Sequence, residues 1–129
     1  MSTWKKIDVE NWTRREHFAY YTKILKVQYN MTANIKVEKL LDYCHQNGKK
    51  FYASLIYLVS KTVNSIDNFK MFQDKEGNLC IWDHVVPNYT IFHDDDKTFS
   101  DCWTDYDEDF ETFYQNITSD MEKYKDIKG

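Results

Sequence analysis

The stretch Pro87-Asn88-Tyr89-Thr90-Ile91-Phe92-His93 has the greatest influence on the predicted fold. It is mostly apolar, carries one threonine hydroxyl and one imidazole, and is followed by the acidic residues Asp94–Asp96. Such a run, bounded by turn-forming residues, predicts a strand over Val85–His93, and the proline predicts an edge position or a bulge near its start. Beyond the acidic turn, Thr98-Phe99-Ser100 and Trp103 predict an aromatic-rich loop that enters a helix.

Two further elements are predicted before this strand. Thr13 and Glu16 have the spacing of a capping box, which predicts a helix with Phe18, Tyr21 and Leu25 on its apolar face. From Val27 to Val37, apolar and polar residues alternate strictly, which predicts a half-buried strand.

The remaining chain predicts more helices and strands in mixed order. The predicted elements are a short helix over Glu38–Gln46 that stops at Asn47-Gly48, a helix over Phe51–Asn64 buried on almost every side, a hairpin of Phe69–Phe72 with Leu79–Trp82, and a long amphipathic helix from Tyr106 to Tyr124. This order predicts an α/β or α+β domain with a mixed sheet.

Composition limits the classes of function. The 129 residues include 42% hydrophobic residues, enough for one packed domain, and the net charge of -4 gives no reason to expect nucleic-acid binding. No apolar run reaches membrane-spanning length, and the amino terminus is too polar for a signal peptide, so no membrane association is expected. Three widely spaced cysteines without a C-x-x-C pattern are typical of a reducing compartment, and the cytoplasm is predicted.

Several candidate sites carry little weight. The Asp105-x-Asp107-x-Asp109 pattern resembles the start of a calcium loop, but Phe110 stands where glycine is required, so these carboxylates are interpreted as helix-capping residues. His84, His93 and the acidic turn fit no recurrent zinc spacing, and a structural role for His93 is favoured over metal binding. A nucleophile–base pair of Cys102 and His93 stays open, since such pairs are recognised by geometry.

Four segments resemble the chloramphenicol acetyltransferases. They are Trp12-Thr13-Arg14-Arg15-Glu16-His17-Phe18, Tyr29-Asn30-Met31-Thr32, Leu79-Cys80-Ile81-Trp82-Asp83, and Tyr89-Thr90-Ile91-Phe92-His93 with Thr98-Phe99-Ser100 and Trp103. Their order and spacing are similar to the family from near residue 5 to near residue 124. The resemblance implies a two-layer α/β fold in which a mixed β-sheet carries helices on one face.

The resemblance also implies an activity. Family members transfer acetyl from acetyl-CoA, a co-substrate, to a hydroxyl of chloramphenicol, without a metal, and they form homotrimers with active sites between subunits. A histidine of a His-His-x-x-x-Asp-Gly motif is the base, and a serine helps to stabilise the oxyanion. Neither element occurs in these 129 residues. We therefore expect residues 1–129 to be the amino-terminal part of one incomplete domain, without the carboxy-terminal catalytic part.

The resemblance assigns a pocket for chloramphenicol or a similar hydroxylated small molecule. Carried over by position, the substrate-binding residues are Tyr20, Tyr21, Leu25, Val27, Asn88, Thr90 and Phe99. Arg14 matches an arginine that pairs with the aspartate of the histidine motif. Lys70, Asn88, Lys97 and Cys102 depart from the common family pattern, which leaves the acceptor open.

Three hypotheses follow. The first is an acetyltransferase-like chain that is inactive and poorly folded by itself, because strand edges and helix faces stay uncovered. The second is a non-catalytic small-molecule-binding or interaction module that uses the same aromatic pocket or the exposed sheet edge. The third is a metal site at His93 and Asp94–Asp96.

Overall fold

The computed structural model describes residues 1–128, which form two small antiparallel sheets and a set of helices. Strands β1 (Trp4–Lys6), β2 (Met71–Gln73) and β3 (Leu79–Trp82) form one sheet in the order β1-β3-β2. Strands β4 (Asn88–His93) and β5 (Thr98–Trp103) form the second. Every strand pair within residues 1–128 is antiparallel, so the mixed character expected of the sheet is not seen in this part of the fold.

Four α-helices accompany the strands in the described residues. They are α1 (Arg15–Ala19), which continues as a π-helical turn (Tyr20–Ile24), α2 (Glu38–Asn47), α3 (Phe51–Asn64) and α4 (Phe110–Tyr124), with a 3-10 turn at Asp67–Lys70. Helix α2 ends as predicted, because Gly48 adopts the left-handed conformation with φ of 62°. Among residues 1–128, no helix combines the length and apolar character needed to cross a bilayer.

The core lies between β4–β5 and the helices α3 and α4. Its buried members are Ala53, Tyr57, Tyr89, Cys102, Phe113 and Ile117. The rings of Tyr57 and Phe113 have centroids 5.7 Å apart, and Phe113 is fully buried. This packing fixes the orientation of the β4–β5 hairpin, because one of its two faces must stay against the helices.

The strand predicted over Val27–Val37 does not form. The segment has no regular secondary structure, and Tyr29, Met31 and Ile35 are each more than 80% exposed. Alternation creates an apolar face, but a strand also needs a neighbouring strand for its backbone hydrogen bonds. No segment within residues 1–128 pairs with this one, so its backbone groups stay in water.

Other predictions differ in detail. The capping box does not form, since no side chain caps α1, which begins after Arg14. Strand β5 occupies the predicted aromatic loop, and β1 was not predicted. Helix α4 begins at Phe110 rather than Tyr106, and α3 is exposed on one side, where Val59 is 55% accessible.

Candidate functional site

Strand β4 separates its side chains onto two opposite faces. Tyr89 and His93 are buried, while Asn88, Thr90 and Phe92 are exposed. This is the two-residue period of a strand with one face on a core. Thr90, the predicted substrate contact, therefore faces solvent, whereas His93 faces the protein interior.

Strand β5 completes the exposed face. In the register of the hairpin, Asn88 lies opposite Trp103, Thr90 opposite Asp101, and Phe92 opposite Phe99. We call these residues the outer hairpin face; its members are Asn88, Thr90, Phe92, Phe99, Asp101 and Trp103. All are exposed, and the rings are 59–65% accessible. A face with this much aromatic surface is available to a ligand or to another protein surface.

Hydrogen bonds on the inner face tie β4 and β5 to the rest of the fold. The Tyr89 hydroxyl lies 2.8 Å from Thr104 Oγ1, and Thr104 donates to Asp120 Oδ2 at 2.7 Å. Burial raises the pKa of Tyr89 well above its usual range, so this phenol stays protonated at neutral pH. The network links β4 through Thr104 to helix α4.

His93 is part of a second buried contact. Its Nε2 lies 2.7 Å from Ser100 Oγ, and the Ser100 hydroxyl donates to the Ile127 carbonyl oxygen at 2.7 Å. Because serine has one hydroxyl proton, Nε2 must donate to Ser100 when that proton is used for Ile127. His93 therefore has a structural role at the end of the hairpin.

The acidic turn is held by lysines. Lys128 Nζ lies 2.5 Å from Asp95 Oδ2 and 2.6 Å from Asp96 Oδ2, and Lys97 pairs with Asp94 at 2.9 Å. The hydrogen bond from Lys128 is the main cause that lowers the pKa of Asp96. Within residues 1–128, no three His, Cys, Asp or Glu side chains converge as metal ligands. The geometry gives no support to the alternative of a metal site here.

A pair of Cys102 and His93 is also not formed. Cys102 lies opposite Tyr89 and His93 opposite Thr98, four residues apart along β5. At about 3.4 Å per residue, this separation is about 14 Å, too long for proton transfer between the side chains. All three cysteines are buried free thiols, and burial raises the pKa of Cys80.

The aspartate pattern before α4 is explained by capping, since Asp109 accepts a hydrogen bond from the Thr112 amide.

The predicted site residues fall into two groups. Asn88, Thr90 and Phe99 come together on the outer hairpin face. Tyr20, Tyr21, Leu25 and Val27 lie on or beside the π-helical turn and are 46–52% exposed. Within the described chain, this turn makes no extensive contact with β4 or β5. Arg14, just before α1, is exposed as well.

An apolar cavity of about 320 Å³ adjoins the outer hairpin face. It lies between α3 and residues 85–88, and it is lined by Leu55, Ile56, Val59, Ser60, Val63, Val85, Val86, Pro87 and Asn88. Its volume is at the lower end for small-molecule sites. Asn88 belongs to both features, so a ligand on the hairpin could place an apolar group in this cavity.

Four neighbours of Thr90 were not predicted from the sequence as site residues. Phe92, Asp101 and Trp103 share its face, and the Tyr52 hydroxyl donates to its carbonyl oxygen at 3.4 Å. Residues 98–103 do not carry the usual signal, because their aromatic residues point outward and small residues point inward. The order Phe99-Ser100-Asp101-Cys102-Trp103 does not alternate apolar with polar residues, so no periodic signal marks this strand.

Comparisons with known proteins agree on one family. The family model of chloramphenicol acetyltransferase matches residues 2–129. The chloramphenicol acetyltransferase of Clostridium perfringens is 41% identical over 121 residues, covering 94% of this chain and 55% of the relative. Chloramphenicol acetyltransferase 3 of Escherichia coli is 38% identical over 120 residues, covering 93% of this chain and 56% of the relative.

A solved structure supports the fold. A chloramphenicol acetyltransferase superposes with a TM-score of 0.86 at 24% identity, covering 93% of this chain and 56% of that chain. The predicted α/β fold of that type is thereby confirmed. The chain spans about half the length of the curated relatives that it matches. On the evidence of the family model and these relatives, the chain belongs to the chloramphenicol acetyltransferase family.

Proposed function

We propose that the outer hairpin face binds the acceptor alcohol in acetyl transfer from acetyl-CoA. The proposed acceptor is chloramphenicol, which the names of the relatives contain, or a similar hydroxylated small molecule. The observation that carries the proposal is that Asn88, Thr90 and Phe99 share one exposed face beside an apolar cavity. A hydroxyl, an amide and an aromatic ring beside an apolar space are suited to a small molecule with both polar and apolar groups.

These residues would bind and orient the acceptor rather than activate it. Attack of an alcohol on a thioester needs a base that removes the hydroxyl proton and a donor that stabilises the oxyanion. His93 is on the opposite face of β4 from Thr90 and is hydrogen-bonded to Ser100. His17 and His45 are exposed on α1 and α2, and His84 Nδ1 lies 3.1 Å from Asp83 Oδ1. None of the four is followed by x-x-x-Asp-Gly.

We therefore propose that residues 1–129 contribute the acceptor wall of a larger catalytic unit and transfer no acetyl group by themselves. In this proposal they are the amino-terminal part of one domain. Tyr20, Tyr21, Leu25 and Val27 would form another part of the wall, and Arg14 would pair with an aspartate outside these residues. A homotrimer with sites between subunits would bring such separated surfaces together. A cytoplasmic location is proposed as well, because the three thiols are free.

Binding and turnover can be measured separately on the purified 129-residue chain. The sequence led us to expect a poorly folded chain, but the β4–β5 hairpin, α3 and α4 share a packed core within residues 1–128. We therefore expect saturable chloramphenicol binding by ligand-observed NMR and no chloramphenicol-dependent release of CoA thiol from acetyl-CoA. Thr90→Val removes the hydroxyl at nearly constant volume, and the lost hydrogen bond should weaken binding about two- to tenfold. Thr32→Val, at an exposed position outside the proposed site, is the matched control and should bind normally.

Each part of the proposal has its own contrary result. Thiol release that depends on chloramphenicol would show that the chain is catalytic. Absence of binding, or equal binding by the Thr90 and Thr32 variants, would remove the acceptor role of the outer hairpin face. Binding without turnover, even within a longer chain that contains the histidine motif, would favour the alternative of a non-catalytic binding module.

A further inference from the structure

Asp101 is the only charged residue of the outer hairpin face. It lies directly opposite Thr90 and is exposed. On the same strand it stands between Phe99 and Trp103, whose side chains point to the same side. A ligand that contacts the Thr90 hydroxyl is therefore within reach of a carboxylate flanked by two aromatic rings.

The Asp101 carboxylate has no ion pair or hydrogen bond with any side chain of residues 1–128. The three aspartates of the adjacent turn differ, because each of them pairs with a lysine, either Lys97 or Lys128. An unpaired carboxylate keeps its full ability to attract a cationic ligand, whereas a paired one has largely lost it.

The aromatic rings of this face add to that attraction. Lys97 Nζ lies 5.8 Å from the centre of the Phe92 ring, so a cation already contacts an aromatic group at the tip of the hairpin. A carboxylate beside aromatic rings is a favourable combination for an ammonium group, through ion pairing and the cation–π interaction. Phe99 and Trp103 provide such rings on either side of Asp101.

We propose that Asp101 makes the outer hairpin face selective for acceptors that are amino alcohols. This inference rests on the acceptor role proposed above. Side chains directly opposite one another in a hairpin have Cβ atoms about 5 Å apart. A hydroxyl bound at Thr90 and a protonated amine bound at Asp101 would therefore be separated by three or four bonds in the ligand. A neutral acceptor such as chloramphenicol would gain no affinity from an ion pair with the Asp101 carboxylate.

The test compares two ligands that differ in this charge. One is chloramphenicol, and the other is the primary amine obtained by removing its dichloroacetyl group, which keeps both hydroxyls. With the 129-residue chain at low salt, we expect the amine to bind about two- to fivefold more tightly, as for a partly exposed ion pair. Asp101→Asn should abolish this preference, and 0.5 M NaCl should reduce it.

The control removes a charge elsewhere. Asp42 is exposed on α2, and Asp42→Asn should keep the preference for the amine. Equal affinity of the unsubstituted chain for both ligands, or a preference that survives in Asp101→Asn and in Asp101→Ala, would overturn the selectivity and leave the acceptor role intact. Failure of both ligands to bind would overturn the acceptor role and the selectivity together.

Discussion

Residues 11–37 and residues 88–124 carry similar local patterns but differ in structure. Each region contains a predicted strand and the start of a predicted helix. In residues 88–124, β4 pairs with β5 and α4 packs against them. In residues 11–37, α1 is short, and the alternating segment after it has no regular secondary structure and is exposed.

The difference shows what local patterns leave undetermined. A strand is stable when its backbone finds a partner and its apolar face finds a core, and β4 has both. Val27–Val37 has neither within residues 1–128. Its apolar side chains therefore contribute little to the stability of the described fold.

The largest effect on the free energy of unfolding should come from a substitution in the core. Phe113→Ala removes a fully buried ring that contacts Tyr57, and it should lower the free energy of unfolding by about 3–5 kcal/mol. Tyr29→Ala, at a side chain 88% exposed, should change it by less than about 0.5 kcal/mol. Urea unfolding followed by circular dichroism measures both.

The comparison fails if the two substitutions have similar effects. A strong loss from Tyr29→Ala would mean that the alternating segment is packed in solution. Should Phe113→Ala not fold, Phe113→Leu provides a smaller cavity, and it must still destabilise the chain more than Tyr29→Ala does.

An intermediate effect on the free energy of unfolding is expected from substitutions at the amino-terminal ends of two helices. Asp109 accepts hydrogen bonds from the amide and the hydroxyl of Thr112, so Asp109→Ala should cost about 1 kcal/mol. Thr13→Ala should cost nothing measurable, because its hydroxyl does not cap α1. The same urea experiment applies, and equal losses would show that the capping box at Thr13 forms after all.

The smallest effect should be on the pH dependence of stability. The pKa of Asp96 is lowered by Lys128, so the folded state holds this proton less tightly than the unfolded state does. Its stabilising contribution is therefore present above the ordinary pKa of about 3.9 and disappears as the pH falls toward the lower folded value. Asp96→Asn should lower the urea midpoint slightly at pH 7, and the difference from the unsubstituted chain should shrink below pH 3.

The matched change in residues 11–37 is Glu16→Gln, at the one carboxylate of that region. Glu16 is exposed and accepts no side-chain hydrogen bond within the described residues, so the urea midpoint at pH 7 should stay unchanged. If Glu16→Gln lowers the urea midpoint as much as Asp96→Asn does, the contact between Asp96 and Lys128 adds nothing to the stability of the fold.

Much of the fold could be predicted because its signals are local. Helix α3 has the predicted limits, α2 ends at the predicted Gly48, and β3 has the predicted residues. Strand β5 could not be predicted from hydrophobicity, since its aromatic residues face solvent. Its position depends on pairing with β4.

The candidate site was predicted in part. Thr90, Asn88 and Phe99 were identified by family resemblance, and the hairpin register shows that they lie on one face. Asp101 and Trp103 were missed because cross-strand neighbours follow from register rather than from sequence spacing. The substrate-binding role of Asn88, Thr90 and Phe99 stays a prediction.

The amino-acid sequence alone determined the family, the main helices and the alternation that makes β4 two-faced, because these depend on residue identity and local spacing. Only the tertiary structure decided which alternating segment becomes a strand, which face of β4 is exposed, and that Asp101 lies opposite Thr90. The physical reason is that pairing partners and burial depend on contacts between residues far apart in the chain, which no local pattern specifies.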